Sequence, residues 1–233
     1  MRIFAIGDLH LSFSSRKPMD VFGSHWKDHH LLLEKNWRRR VKEDDVVLLP
    51  GDISWAMDLE DAAEDLEWIG RLPGRKLMIK GNHDYWWGSI SRLEKVLPNS
   101  IVPLQHTAYS AGAAVVTGTR GWLTPPSEGF SEAGDGKVYR RELLRLGMAL
   151  DAAKKLREDR ELVVMMHYPP LFSGGPTEFS RMMSDRGVDI CVYGHLHMGP
   201  EEWPGWVDTE LEGVTYRLVS ADYLDFDPLE LEV

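Results

Sequence analysis

Val46-Val47-Leu48-Leu49-Pro50-Gly51-Asp52, taken together with Leu77-Met78-Ile79-Lys80-Gly81-Asn82-His83-Asp84, decides how this chain folds. Each is a short aliphatic run that stops at a glycine followed by side chains able to bind a metal. A short apolar run without polar alternation suits a strand buried on both faces. Three more runs read the same way: Ile3–Ile6 leads to Asp8-Leu9-His10, Leu162–Met166 to His167, and Ile190–Tyr193 to Gly194-His195-Leu196-His197. Between them lie helical patterns. Asp58–Arg71 places Leu59, Ala62, Ala63, Leu66 and Ile69 on one face, and Arg140–Arg157 repeats the spacing with Leu143, Leu144, Met148, Leu150 and Leu156. Strand–helix alternation predicts a layered α/β fold. In open α/β sheets ligands gather beyond the carboxyl ends of the strands, so if the five strands share one parallel sheet, all five motifs meet at one edge.

After Val96 the texture changes. Ile101–Val102, Ala108–Ser110 and Ala113–Gly118 predict a hairpin or meander, and Trp206–Glu210 with Val214–Ser220 predict a second hairpin, so two sheets are expected. Leu11–Gly23 and Gly121–Gly136 read as surface insertions.

Composition narrows the function classes. The 233 residues are 43% hydrophobic and 27% charged, an ordinary globular mix, with one cysteine and a formal net charge of −10. The acidic balance argues against a broad basic face for nucleic acid. A single Cys191 excludes an intrachain disulfide. The apolar runs fall far short of the roughly 20 residues that span a bilayer, and Met1–Asp8 has no signal-peptide core, so a cytoplasmic protein with no membrane partner is expected.

The candidate ligands are carboxylate, imidazole and amide, with no thiolate, which suits Mn, Fe, Zn or Co. Asp8, His10, Asp52, Asn82, His167, His195 and His197 exceed the needs of one tetrahedral site, so two metals are expected, with Asp52 best placed to bridge them.

The ordered blocks Asp8-x-His10, Gly51-Asp52, Gly81-Asn82-His83-Asp84, His167 and Gly194-His195-x-His197 resemble the calcineurin-like metallophosphoesterase superfamily. Within it the chain looks most like small bacterial phosphoesterases that carry Gly51-Asp52-Ile53-Ser54-Trp55-Ala56-Met57. The resemblance implies a single domain over 1–233 with the metallo-dependent phosphatase fold, a four-layer α/β/β/α sandwich of two mixed sheets flanked by helices. It implies that Asp8, His10 and His197 hold one divalent (or mixed-valence) metal ion, that Asn82, His167 and His195 hold the other, and that Asp52 bridges them. Catalysis would fall to a hydroxide shared by the two metals, to His83 as general acid and to Asn82 on a phosphate oxygen. The substrate would be a small phosphoester, a phosphodiester by preference. A phosphomonoesterase or nuclease on the same core, or a non-catalytic protein-binding scaffold, stays open, as does the oligomeric state.

Two positions depart from the superfamily. Trp55 stands where many relatives place an aspartate that orients the acid histidine, leaving Asp84, Asp58 or a backbone carbonyl for that task. Ala56 stands where phosphoprotein phosphatases place a phosphate-binding arginine. Trp55, Trp86, Trp87 and Trp122 are candidates for lining a substrate cleft, and Arg120, Arg140 and Arg141 could grip a second phosphate. His25 with His29 is read as no metal pair, Arg38-Arg39-Arg40 as a helix end, and Cys191 as packing.

Overall fold

The computed structural model of the chain describes residues 1–15, 17–125, 127–198 and 202–233; Arg16 and Pro126, inside the two expected insertions, lie outside them. Eleven strands form two mixed sheets among the described residues. The first sheet runs in the order β11 (Leu229–Leu231), β1 (Ile3–Ala5), β2 (Val46–Leu49), β3 (Arg75–Met78), β4 (Ile101–Pro103). Its strands are parallel except β11, which pairs antiparallel with β1. The second runs β5 (Ala108–Ala111), β6 (Ala114–Thr119), β7 (Glu161–Met166), β8 (Ile190–Tyr193), β10 (Val214–Leu218), β9 (Thr209–Leu211), with antiparallel strands at both ends.

Side-chain alternation builds the layers. Along β1 and β2, Ile3, Ala5, Val46 and Leu48 face Val116, Val163, Met165 and Val192 of the second sheet, forming the core between the sheets. Phe4, Ile6, Val47 and Leu49 point the other way, onto Leu33 and Trp37 of α1 (His29–Arg40) and Leu66 and Ile69 of α2 (Ala63–Gly70). The outer face of the second sheet packs on α4 (Glu132–Arg157) and α5 (Glu178–Asp185), while α3 (Ile90–Leu93) is a single turn after β3. This is the four-layer sandwich expected from the sequence. Residues beyond 200 are integral to it, since β10 and β11 complete one sheet each.

Several expectations need correction. The five motif-bearing strands do not share one sheet: β1, β2 and β3 lie in the first, β7 and β8 in the second. Buried runs state that both faces are covered but not which strands pair. The strand at Ile101 joins β3 in the first sheet, which leaves β5 and β6 of the expected meander to form a hairpin. The last hairpin begins at Thr209, not Trp206.

The helix expected from Arg140 starts at Glu132, capped by Ser131, whose side chain accepts from the Gly134 N–H. Its buried stripe is Tyr139, Glu142, Leu146, Ala149, Leu150 and Ala153, whereas Leu144 and Met148 are exposed. The charged Glu142 on the buried face hid the true stripe. Nor is Leu11–Gly23 all surface: Leu11 bridges to Ser54, and buried Met19 accepts a hydrogen bond from Trp55 Nε1 at 3.0 Å. Among the described residues no helix is long and apolar enough to cross a membrane.

Candidate metal centre

All five motifs meet where the carboxyl ends of β1, β2 and β3 face those of β7 and β8. Backbone ties draw the loops together: the Asp8 N–H donates to Gly51 O and the His10 N–H to Asp52 O, each at 3.0 Å. The turns are tight. Asp8, His10, Asp52 and His195 all hold positive φ, between 45° and 74°. Glycine precedes Asn82 and His195 because a Cβ at Gly81 would collide with the Asp52 carboxylate, and one at Gly194 with Asp8.

Asp84 ties two loops into one unit. Its buried carboxylate accepts from the backbone N–H groups of Gly81 (2.7 Å), Asp52 (2.9 Å), Ile53 (2.9 Å) and Ser54 (3.3 Å), and from Trp86 Nε1 (3.1 Å). It therefore shapes the ligand loops rather than orienting His83. Asp58 serves a turn instead, accepting from the Glu60 and Asp61 N–H groups. What His83 touches is Trp55, ring centroids 4.3 Å apart, and its Nε2 stands 4.0 Å from Asp52 Oδ2.

Among the described residues two groups of donors have ligand atoms within 4.8 Å of one another: Asp8, His10 and His197, and Asp8, Asp52 and His167. In the first, His10 Nε2 and His197 Nε2 lie 3.1 Å apart, and the buried His10 Nδ1 has no hydrogen-bond partner. In the second, His167 Nε2 stands 2.5 Å from Asn82 Oδ1 and 3.6 Å from Asp52 Oδ1. Asp52 also reaches the first group, with Oδ2 at 3.8 Å from His10 Nε2. His195 packs its ring 5.0 Å from His167 and 4.2 Å from Tyr168. Carboxylate, amide and imidazole lone pairs converging on one buried site are what cations satisfy, so the donor set fits metal ions.

The remote ring nitrogens of His167 and His197 are anchored, as suits metal-binding imidazoles. His167 Nδ1 faces Pro50 O at 3.1 Å, and His197 Nδ1 faces Asp222 Oδ2 at 3.0 Å. Ser220 Oγ donates to Asp8 at 2.9 Å, and the His195 N–H to both Asp8 oxygens. Sequence reasoning missed Ser220 and Asp222, which support Asp8 and His197, although they follow β10 as the candidate ligands follow their strands. Burial pushes His167 down to about 3 and His195 to about 2, holding them neutral, the form in which an imidazole can ligate. Burial, less the opposing charge of His197, pushes the Asp8 carboxyl up to about 8. At His197 burial works downward, but the Asp222 hydrogen bond and the Asp8 charge outweigh it and carry the ring up to about 9.

Beside the centre lies a recess of about 370 Å³ whose walls include Met19, Phe22, Trp26 and Trp55 along with His10, His83 and His197. Of the other tryptophans, Trp86 is buried against Trp87 and away from this recess, and Trp122 underlies Arg120. His29 turns both ring nitrogens to carbonyls, of Trp26 and Leu9, and forms no metal pair with His25. Arg38 pairs with Glu34, and Arg39 and Arg40 with Asp227, as a helix end would. Cys191 is buried in β8.

Residues 1–199 match the calcineurin-like phosphoesterase family, and the chain belongs to it. It is 35% identical over 77 residues to the gene 66 protein of Mycobacterium phage L5, covering 33% of this chain and 37% of that protein. With the gene 66 protein of phage D29 it shares 42% over 57 residues, 24% of this chain and 28% of the relative. The chain thus spans about a third of the length of these curated relatives. Its fold is similar to that of a phosphopantetheinyl hydrolase from Mycobacterium tuberculosis, with a TM-score of 0.63 at 16% identity over 99% of this chain and 95% of the other. A protein of unknown function from Aquifex aeolicus gives a TM-score of 0.53 at 16% identity, over 98% and 95%.

Proposed function

We propose that this calcineurin-like phosphoesterase binds two divalent metal ions and hydrolyses phosphodiesters, with His83 as general acid. The observation that carries the reading is the pair of carboxylates shared between two imidazole groups: Asp8 belongs to both, and Asp52 turns one oxygen toward each. Asp8, His10 and His197 would hold one ion, and Asn82, His167 and His195 the other, with Asp52 between. Manganese, iron or zinc suits these donors. The bound metals supply Lewis-acid stabilisation of charge on the phosphoryl oxygens and a nucleophile at neutral pH.

The chain's own residues do the rest. His83 belongs to neither donor group and borders the aromatic recess, so its Nε2 is placed to hand a proton to a departing alkoxide seated there. Trp55 fixes the His83 ring by contact, in place of a carboxylate. The Asn82 amide nitrogen is free to donate to a phosphoryl oxygen while its carbonyl oxygen serves the centre. Ala56, lacking an arginine's grip on a dianionic phosphate, favours diesters over phosphoprotein monoesters. We read residues 1–233 as one domain, because β10 and β11 complete the two sheets that carry the site.

The test is hydrolysis of bis(p-nitrophenyl) phosphate against p-nitrophenyl phosphate, by metal-free protein with and without added Mn2+. The expected result is metal-dependent cleavage, faster for the diester. Monoester cleavage alone would turn the reading to a phosphatase, and a protein that binds no metal would turn it to a scaffold.

A further inference from the structure

The carboxyl ends of β3, β4 and β6 and the first half of α4 enclose a second recess, of about 270 Å³. Lys80, Arg120, Arg141 and Arg145 line it against one carboxylate, Glu142, in a chain whose net charge is −10. Glu142 is buried and committed: Oε2 accepts from Thr119 Oγ1 at 2.9 Å and Oε1 from Arg145 at 2.7 Å. Arg120 and Arg141 stand 3.7 and 3.6 Å from Oε1, oriented by its charge but beyond hydrogen-bond reach. The Arg120 guanidinium lies 4.6 Å over the Trp122 ring, and its buried Nε has no partner.

Among the described residues, the side chains of Lys80, Arg120 and Arg141 donate no hydrogen bond. The contrast is the larger recess at the opposite end of β7. There the cations meet at least as many carboxylates, and Arg157 is bonded to Asp189 at 2.7 Å. Arg140, expected from the sequence to share the arginine cluster, instead pairs with Glu132 outside the recess.

Surplus positive donors in a recess are matched by an oxyanion, and guanidinium forks fit phosphate oxygens in pairs. The recess also adjoins the metal centre: the His167 N–H donates to the Arg120 carbonyl at 3.1 Å, and Lys80 precedes the Asn82 turn. We propose that the recess is an oxyanion subsite that receives a second phosphate of the substrate cleaved at the adjoining centre. Its place in catalysis rests on the hydrolase reading above, whereas its anion binding does not.

Two arms test it. Calorimetric titration of the metal-free full chain with inorganic pyrophosphate should show saturable binding. Arg141→Gln, a change at a half-exposed position, should weaken that binding at least about tenfold, and Arg140→Gln should not. No saturable binding, or equal binding in Arg141→Gln, overturns the subsite. With metal restored, KM is compared for bis(p-nitrophenyl) phosphate and for thymidine 3′-phosphate 5′-(p-nitrophenyl phosphate), which carries the second phosphate. Arg141→Gln should raise KM at least about tenfold more for the second substrate. Weaker pyrophosphate binding without that selective penalty assigns the recess to a free anion and overturns the substrate claim. Intact, Arg141-dependent binding in a protein that cleaves neither diester supports the subsite while the hydrolase reading fails.

Discussion

The two recesses beside the metal centre sit on the same edge of the sandwich and differ in what they leave unsatisfied. In the aromatic recess two of the polar groups are already engaged: Trp55 Nε1 is bonded to Met19, and Asp222 is bonded to His197. What it offers a ligand is apolar surface beside His83. In the cationic recess the donors are left over, with Arg120 and Arg141 paired by charge with Glu142 yet, among the described residues, making no side-chain hydrogen bond. On the function proposed above, one side would take the body of a leaving group and the other would take charge, so the substrate would be polarised across the centre.

The largest expected effect breaks or keeps the assignment of the leaving group to the aromatic side. His83→Ala should lower kcat for a diester with an alkyl leaving group by about 10²–10⁴-fold while bound metal, measured by elemental analysis, is unchanged. The loss should shrink for p-nitrophenolate, which departs without a proton; an equal loss for both would place His83 elsewhere in the reaction. Next is Asp222→Asn, which removes the carboxylate behind His197 on the aromatic side. Metal affinity should fall about 10–100-fold in a metal titration, and an unchanged affinity would deny Asp222 that supporting role.

Phe22 is exposed at the recess mouth, so Phe22→Ala costs little in folding. It should raise KM for bis(p-nitrophenyl) phosphate about three- to tenfold, from about 1 kcal/mol of lost apolar contact, and leave a methyl diester nearly untouched. Equal effects on both esters would detach the recess from the leaving group.

A buried cation away from both recesses sharpens the contrast. Lys76 is fully buried, but its ammonium is served by the chain itself, donating to Gly70 O at 3.5 Å, to Leu72 O, and to Ser100 Oγ at 3.5 Å. Burial pulls its pKa down to about 8. The unfolded chain therefore binds more protons between about pH 8 and the ordinary lysine value near 10.4, so stability rises with pH across that window. Urea melts should show a gain of about 1–2 kcal/mol from pH 8 to 10 in the wild type and a flat profile in Lys76→Met.

Most of the centre was legible because a metal ligand must stand where a buried strand ends, and both halves of that pattern are local. Asp8, Asp52, His167 and His195 were found that way. Asp222 escaped because Ser220-Ala221-Asp222 carries neither glycine nor histidine to announce it. The cationic recess was half visible: Arg120 and Arg141 flank the Gly121–Gly136 insertion, but Lys80 and Arg145 join them only where the turn after β3 comes beside α4, packed on β6. The division of strands between two sheets, and the three-residue β11 with its exposed Glu230, depend on long-range pairing that no periodicity records.

The positive φ angles at Asp8, His10, Asp52 and His195 carry a consequence for how such a protein can change over generations. A non-glycine residue in the left-handed region costs about 1 kcal/mol, and glycine would relieve it. Metal-free Asp52→Gly should melt above Asp52→Ala by about that margin, and the reverse order would remove the strain. Relieving the strain at these four turns would remove side chains that the proposed centre needs. Heat resistance and the proposed metal chemistry therefore make opposite demands on these four turns.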